Sequence, residues 1–215
     1  MYTLYNLPDA CPLATQVILH ELNQPVTLID KQQVKDFHSI NPVGTVPVLI
    51  ENKVTYTEGA AVILHLLKKH PSHLFPESGA AQQKAIENIM FANATMHPAY
   101  GRLFFIAGNL TDSPIKTEAY EAAAGAINHL WQVVEDQLKN QPFLGGDQPS
   151  AADIMLTVYS RWGASFPVNI QIGNNAQTMI NAILNRPSFQ TALENERLQA
   201  VANNTEENHE LSCQV

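Results

Sequence analysis

Cysteine is nearly absent from this chain, and the two that occur stand far apart, Cys11 near the start and Cys213 in the polar stretch NNTEENHELSCQV. Two cysteines so placed fit neither a disulfide framework nor a cysteine-rich zinc site. One turn after Cys11, where a resolving cysteine would stand, the sequence has Ala14. A dithiol redox cycle inside CPLA is therefore excluded. Basic residues are also few: 12 Lys and Arg stand against 20 Asp and Glu, for a formal net charge of -8, with no Lys/Arg block. A polyanion would be repelled, so neither nucleic acid nor a membrane surface is expected as a partner. No run approaches eighteen uninterrupted apolar residues, and the opening MYTLYNLPDA has no basic or apolar region of leader type. These absences make a cytoplasmic protein without a membrane span the expectation. His65, His70 and His73 are not spaced to share one helical face, and no metal is expected.

What is present is ample apolar content, 45% of 215 residues, enough for one large core or two small ones. MYTLYN reads as a short strand, CPLATQVILHELN as a helix carrying Leu13, Val17 and Leu22 at helical spacing, and VTLID as a second strand. After the loop KQQVKDFHSINPVG come the strands TVPVLIE and KVTY, and then the helical run EGAAVILHLLKKH. The order is βαβ, loop, ββα. From residue 80 onward every pattern is helical, and Pro98 predicts a bend just before it. The predicted organisation is an α/β domain at 1–72, a Pro/Ser-rich linker at 73–79, an all-helical domain at 80–202 and a flexible polar tail at 203–215.

Cys11 stands where a strand hands over to a helix, with Pro12 suited to the first helical position. A sulfur there would face free N–H groups and the positive end of the helix dipole, which favour a thiolate. Packing under the helix is the competing role, and position alone leaves both open. In NPVGTVPVL, Pro47 opens a strand, a place for an edge proline or for a cis peptide whose preceding residue, Val46, turns its backbone toward a peptide-like ligand. In TEGAAVILHLL, Thr57 is the expected N-cap, and Glu58 with Gly59 at the helix start suits an α-amino acid head group, although ordinary capping explains the same residues. Ser150 and Asp153 of PSAAD form a capping box and are read as structural.

Four separated pieces, LYNLPDACPLA, INPVGTVPVL, YTEGAAVILHLL and FLGGDQPSAADIML, together resemble the glutathione transferase superfamily, and most nearly its bacterial beta class. The resemblance implies a thioredoxin-like domain, βαβ, α, ββα, followed by an all-helical domain, as a homodimer. It implies Cys11 as the residue that contacts the sulfur of glutathione or forms a mixed disulfide with it, with Tyr5 a backup near that sulfur. Val46 would pair with the cysteinyl unit of glutathione, Pro47 would be the cis-proline, and Glu58 and Gly59 would hold the γ-glutamyl carboxylate and amine. His97 in MHPAYGRLF matches an active-site histidine, and Trp162 in SRWGA stands with Tyr100 and Phe104 for an apolar pocket that takes small hydrophobic electrophiles. The form CPLA is closer to the C-P-x-A of omega-class and glutaredoxin-like enzymes, which keeps glutathione-dependent disulfide reduction as a rival activity. A non-catalytic glutathione-binding protein on the same scaffold is a further alternative. For the glycyl carboxylate, Lys31, Lys35 and His38 are the candidates.

Overall fold

The computed structural model describes the backbone of residues 1–212 and the side chains of residues 1–201. Two compact units are formed, one of Met1–Val62 with the chain from Arg186 onward, the other of Ile63–Asn185.

The first unit is built on a four-stranded sheet. Its strands are β1 (Tyr2–Asn6), β2 (Val26–Asp30), β3 (Val48–Glu51) and β4 (Val54–Tyr56), in the order β2-β1-β3-β4. β1 and β2 run parallel, joined by a crossover through helix α1 (Pro12–Glu21), whereas β3 is antiparallel to both β1 and β4. This is the thioredoxin-like arrangement, and two 3-10 turns, Lys31–Gln33 and Phe37–Ser39, occupy the connection between β2 and β3. Alternation along β1 sends Tyr2, Leu4 and Asn6 inward and leaves Thr3 and Tyr5 half-buried.

Helix α1 is not amphipathic in the molecule: every residue from Pro12 to Leu19 is buried. The reason is a second covering element, the C-terminal helix α8 (Pro187–Ser212), which packs along α1. Phe189 and Ala192 of α8 are fully buried there. At its start, Arg186 grips Glu21 with two bonds, Nε to Oε1 at 2.6 Å and Nη2 to Oε2 at 2.7 Å, and the Ser188 hydroxyl donates to the same carboxylate. The sequence reading assigned this helix to the helical domain, and the pairing of Arg186 with Glu21 is what draws it into the first unit. The tail expected at 203–215 continues as α8 to Ser212, and Cys213 lies outside the described residues.

Helix α2 (Gly59–Lys69) follows β4. The expected linker at 73–79 is packed chain, because Leu74 and Phe75 are buried, Ser72 bridges to Phe75, and the Leu74 carbonyl accepts the Ala151 amide at 3.3 Å.

The second unit is all helical. α3 (Gly79–Met90) runs into a π-helical segment, Phe91–Met96, and on into α4 (His97–Asn109). The π turn lies immediately before Pro98, where the bend was predicted. A proline has no N–H to give and its ring presses on the carbonyl four residues back, so widening the helix by a residue per turn relieves both faults. α5 (Pro114–Gln137), α6 (Ala151–Ser160), a 3-10 turn at Arg161–Ser165 and α7 (Asn174–Leu184) complete the unit. α6 is its centre, with all positions from Ala151 to Tyr159 buried.

The α6 start is held by Asp153, which is wholly buried. Its Oδ2 accepts from the Ser150 amide and hydroxyl, each at 2.7 Å, and Oδ1 accepts from the Leu144 amide at 2.8 Å. One carboxylate thus caps the helix and ties down the preceding Gly-Gly turn. Gly145 is required in that turn, since a Cβ there would stand 2.5 Å from the Gln148 carbonyl oxygen.

Candidate active site

In the first unit, Cys11 is the N-cap of α1, with helical backbone angles (φ -59, ψ -24) and no side-chain capping bond. Its sulfur therefore does not turn toward the free amides of the helix start. The thiol donates instead to the Val46 carbonyl at 3.4 Å. The expectation of a stabilised thiolate is corrected accordingly: burial pushes the Cys11 thiol up to about 11. Desolvation penalises the charged sulfur more than the backbone amide of Cys11 itself, which opposes the shift, favours it. Cys11 is a free thiol and is protonated at neutral pH.

Val46 owes its position to the loop before it. The Val46–Pro47 peptide is cis. Asn41, buried, shapes the loop through its side chain, which donates to the Thr45 carbonyl at 2.8 Å and accepts the Val43 amide at 3.2 Å. Its own carbonyl accepts the Gly44 amide at 2.8 Å. The sequence reading overlooked Asn41, although an Asn-Pro pair is a turn signal with this mechanism. Gly44 (φ 75) lies against the His38 ring, where a Cβ would fall 2.5 Å from Cε1. His38 Nδ1 is 3.2 Å from the Pro42 carbonyl, and Lys31 Nζ donates to the Gly44 carbonyl at 2.5 Å while lying 5.4 Å from the Phe37 ring centroid. Of the three candidates for the glycyl carboxylate, Lys31 and His38 are thus built into the loop, and Lys35 is exposed. Tyr5 stacks edge-on against Phe37, 5.7 Å between ring centroids.

Glu58, rather than Thr57, is the N-cap of α2, since its carbonyl accepts the first helical bond, from Val62, at 2.9 Å. The reason is backbone conformation: Glu58 has φ 65, which turns the chain into the helix at Gly59. A non-glycine residue in this left-handed region is strained by roughly 1 to 2 kcal/mol. The side chain is exposed.

In the second unit the predicted residues gather around one indole. His97 meets Trp162 edge-on at 5.2 Å and Tyr159 at 5.2 Å, while Tyr159 stacks on Trp162 at 4.7 Å with 29° between planes. Tyr100 and Phe104 approach Trp162 at 5.9 and 5.8 Å, and Phe166 approaches Phe104 at 4.8 Å. Burial holds the His97 imidazole below its ordinary pKa, so it is neutral at pH 7. Tyr100 is not available to a ligand as expected: it is completely buried, its hydroxyl accepts from the Trp131 indole at 2.9 Å, and burial pushes its pKa up to about 12. Trp162 is 7% exposed and Phe104 is 49% exposed, so Phe104 is the pocket candidate that offers most surface. Tyr159 was missed because its period on α6 reads as core.

Among the described residues no group of histidine, cysteine and carboxylate side chains could hold a metal ion, and no helix is long and apolar enough to cross a membrane.

Comparison with known proteins matches residues 5–77 to the family described as glutathione S-transferase, N-terminal domain, and residues 117–161 to glutathione S-transferase, C-terminal domain. The chain is 28% identical to glutathione S-transferase GST-4.5 of Xanthomonas campestris pv. campestris over 201 residues, covering 91% of this chain and 98% of that one. Among solved structures, a bacterial beta class glutathione S-transferase of Sphingomonas chungbukensis is 26% identical with a TM-score of 0.78, covering 90% of this chain and 98% of its own. A sphingomonad glutathione S-transferase complexed with glutathione is likewise 26% identical with a TM-score of 0.78, covering 91% and 99%. The two matched domains, in the order and on the fold described above, establish that this chain belongs to the glutathione S-transferase superfamily.

Proposed function

We propose that the protein is a glutathione transferase that joins the sulfur of glutathione to small hydrophobic electrophiles, with Cys11 as the residue that meets that sulfur. The observation that carries this reading is the pairing of the Cys11 thiol with the Val46 carbonyl at the cis Val46–Pro47 bond. A peptide laid along Val46 would bring a cysteinyl sulfur to the thiol. When the peptide's own amide takes the Val46 carbonyl, the Cys11 S–H is released from it to donate to glutathione's sulfur, and a donor aimed there favours the thiolate of glutathione. The reaction then balances simply: the glutathione proton goes to solvent, a sulfur–carbon bond forms, and the leaving group departs with its electron pair. Glu58 and Gly59 at the start of α2 take the γ-glutamyl amine and carboxylate. Phe104 and the aromatic group around Trp162 supply apolar surface for the electrophile, and neutral His97 is available to donate or accept a proton there. No metal enters this chemistry. The homodimer and the cytoplasmic location are part of the same reading, and sedimentation at micromolar concentration is expected to give twice the chain mass.

Disulfide reduction through a Cys11–glutathione adduct is the rival, and it needs the thiolate that burial disfavours. Rates of glutathione conjugation to chlorodinitrobenzene and of hydroxyethyl disulfide reduction, measured for wild type, Cys11→Ala and Cys213→Ser, separate the two. Conjugation should dominate in wild type and in Cys213→Ser and fall at least about tenfold in Cys11→Ala. Dominant disulfide reduction, together with a glutathione adduct on Cys11 by intact mass, would reverse the assignment.

A further inference from the structure

The turn that carries Cys11 is tied to the far end of the chain by contacts that the glutathione reading leaves without a role. Asn6, the last residue of β1 and wholly buried, forms a reciprocal amide pair with Gln199 of α8: Asn6 Nδ2 donates to Gln199 Oε1 at 2.8 Å, and Gln199 Nε2 donates to Asn6 Oδ1 at 3.2 Å. Three residues on, the Asp9 amide donates to Glu196 Oε2 at 3.4 Å, and Glu196 is 6% exposed. Glu196 and Gln199 are three apart and so lie on one face of α8. The turn also has its own constraint, the Ala10 amide donating to the Leu7 carbonyl at 3.2 Å, and Asp9 holds the left-handed conformation with φ 59.

The helix that supplies the anchors is itself fixed to α1. Arg186 and Ser188 hold Glu21, Gln16 Nε2 donates to the Ala192 carbonyl at 3.5 Å, and Asn195 Nδ2 lies 3.3 Å from His20 Nε2. α8 is thus a strut that leaves the end of α1 and returns to brace the turn at its beginning.

We propose that Glu196 and Gln199 are positioning residues for the thiol: by fixing the turn from Asn6 to Ala10 they hold Cys11 Sγ against the Val46 carbonyl. The inference rests on Cys11 being the residue that meets glutathione. Neither residue touches the sulfur, and both act through the backbone they hold. A displacement of about 1 Å in a reacting group costs up to about a hundredfold in rate.

The test uses the full chain in a Cys213→Ser background, so that Cys11 is the one thiol. Glu196→Ala, Glu196→Gln, Gln199→Ala and, as a control on the exposed side of α8, Glu194→Ala are compared by three readouts: kcat and KM for glutathione with chlorodinitrobenzene, the rate of Cys11 alkylation by iodoacetamide without glutathione, and the thermal midpoint. Glu196→Ala and Gln199→Ala should each lower kcat about tenfold with glutathione KM changed less than about threefold, because the Glu58 end of the site is untouched. In both, Cys11 alkylation should accelerate several-fold at temperatures far below unfolding. Glu196→Gln keeps an acceptor oxygen toward the Asp9 amide and should recover most of the loss, and Glu194→Ala should resemble wild type. Unchanged alkylation in Gln199→Ala and in folded Glu196→Ala overturns the proposal, as does a thermal midpoint that falls while alkylation and kcat stay put. The alkylation readout requires no glutathione chemistry, so a wild-type protein that fails to conjugate glutathione would refute the function and leave the positioning role separately decided.

Discussion

At the residue scale, Cys11 and Glu58 are each governed by their surroundings, the thiol by desolvation and the glutamate by its backbone conformation. Cys11 could be placed at a strand-to-helix junction from LPDACPLA, but its ionisation depends on what lies over it, and the Val46 carbonyl arrives from a loop 35 residues away. In a Cys213→Ser protein, the rate of iodoacetamide alkylation at Cys11 should therefore keep climbing past pH 9, with a midpoint of about 11 in place of the roughly 8.5 of an ordinary thiol. A plateau below pH 8 would show a thiolate and contradict the protonated donor. Glu58 makes a second case, since its residue type was legible as a ligand group and its φ of 65 was not. Glycine adopts that conformation freely, so Glu58→Gly should stabilise the protein by about 0.5 to 1 kcal/mol in urea unfolding while weakening glutathione binding at least about tenfold. A destabilised variant would mean that the side chain supports the fold, and unchanged binding would remove it from the amine site.

At the element scale, local signals were read well and long-range ones not at all. The capping box at Ser150 and Asp153 was visible because both partners lie within four residues. The bond from Asp153 back to the Leu144 amide, which makes the same carboxylate the anchor of the Gly-Gly turn, was not. Burial raises the Asp153 pKa and the surrounding donors oppose that shift, so this group is costly to bury and costlier to remove. Asp153→Ala leaves the Ser150 and Leu144 donors without their acceptor and should cost about 3 to 5 kcal/mol, read as a lower urea midpoint. Retained stability would show that water replaces the carboxylate. Pro98 announced a disturbance in its helix, and the form it took is a π segment over Phe91–Met96 that packs, with α3, on α6. α1 shows the same dependence on distant chain: its polar Thr15 and Gln16 are buried because α8 packs along it.

For the molecule as a whole, acid should weaken the fold through two half-buried histidines. His97 and His20 have pKa values lowered by burial, so near and below pH 6.5 the unfolded chain takes up protons that the folded one refuses. Stability is then full above about pH 6.5 and declines as pH falls toward the folded values. The thermal midpoint should drop between pH 7.5 and 5.5, and in His97→Gln that drop should be smaller. Equal slopes would place the imidazole in solvent. The order of strands and helices, the change from α/β to all-helical chain and the positions of Cys11, Pro47 and Glu58 were determined by the sequence itself, because periodicity, proline geometry and capping are read over a few residues. Tertiary structure alone decided that the last helix joins the first domain through Arg186 and Glu21, that Tyr100 is core while Phe104 is surface, and that Cys11 is a thiol. Each of these depends on which distant groups exclude water from a side chain, and desolvation is a property of the packed whole that no short window of sequence contains.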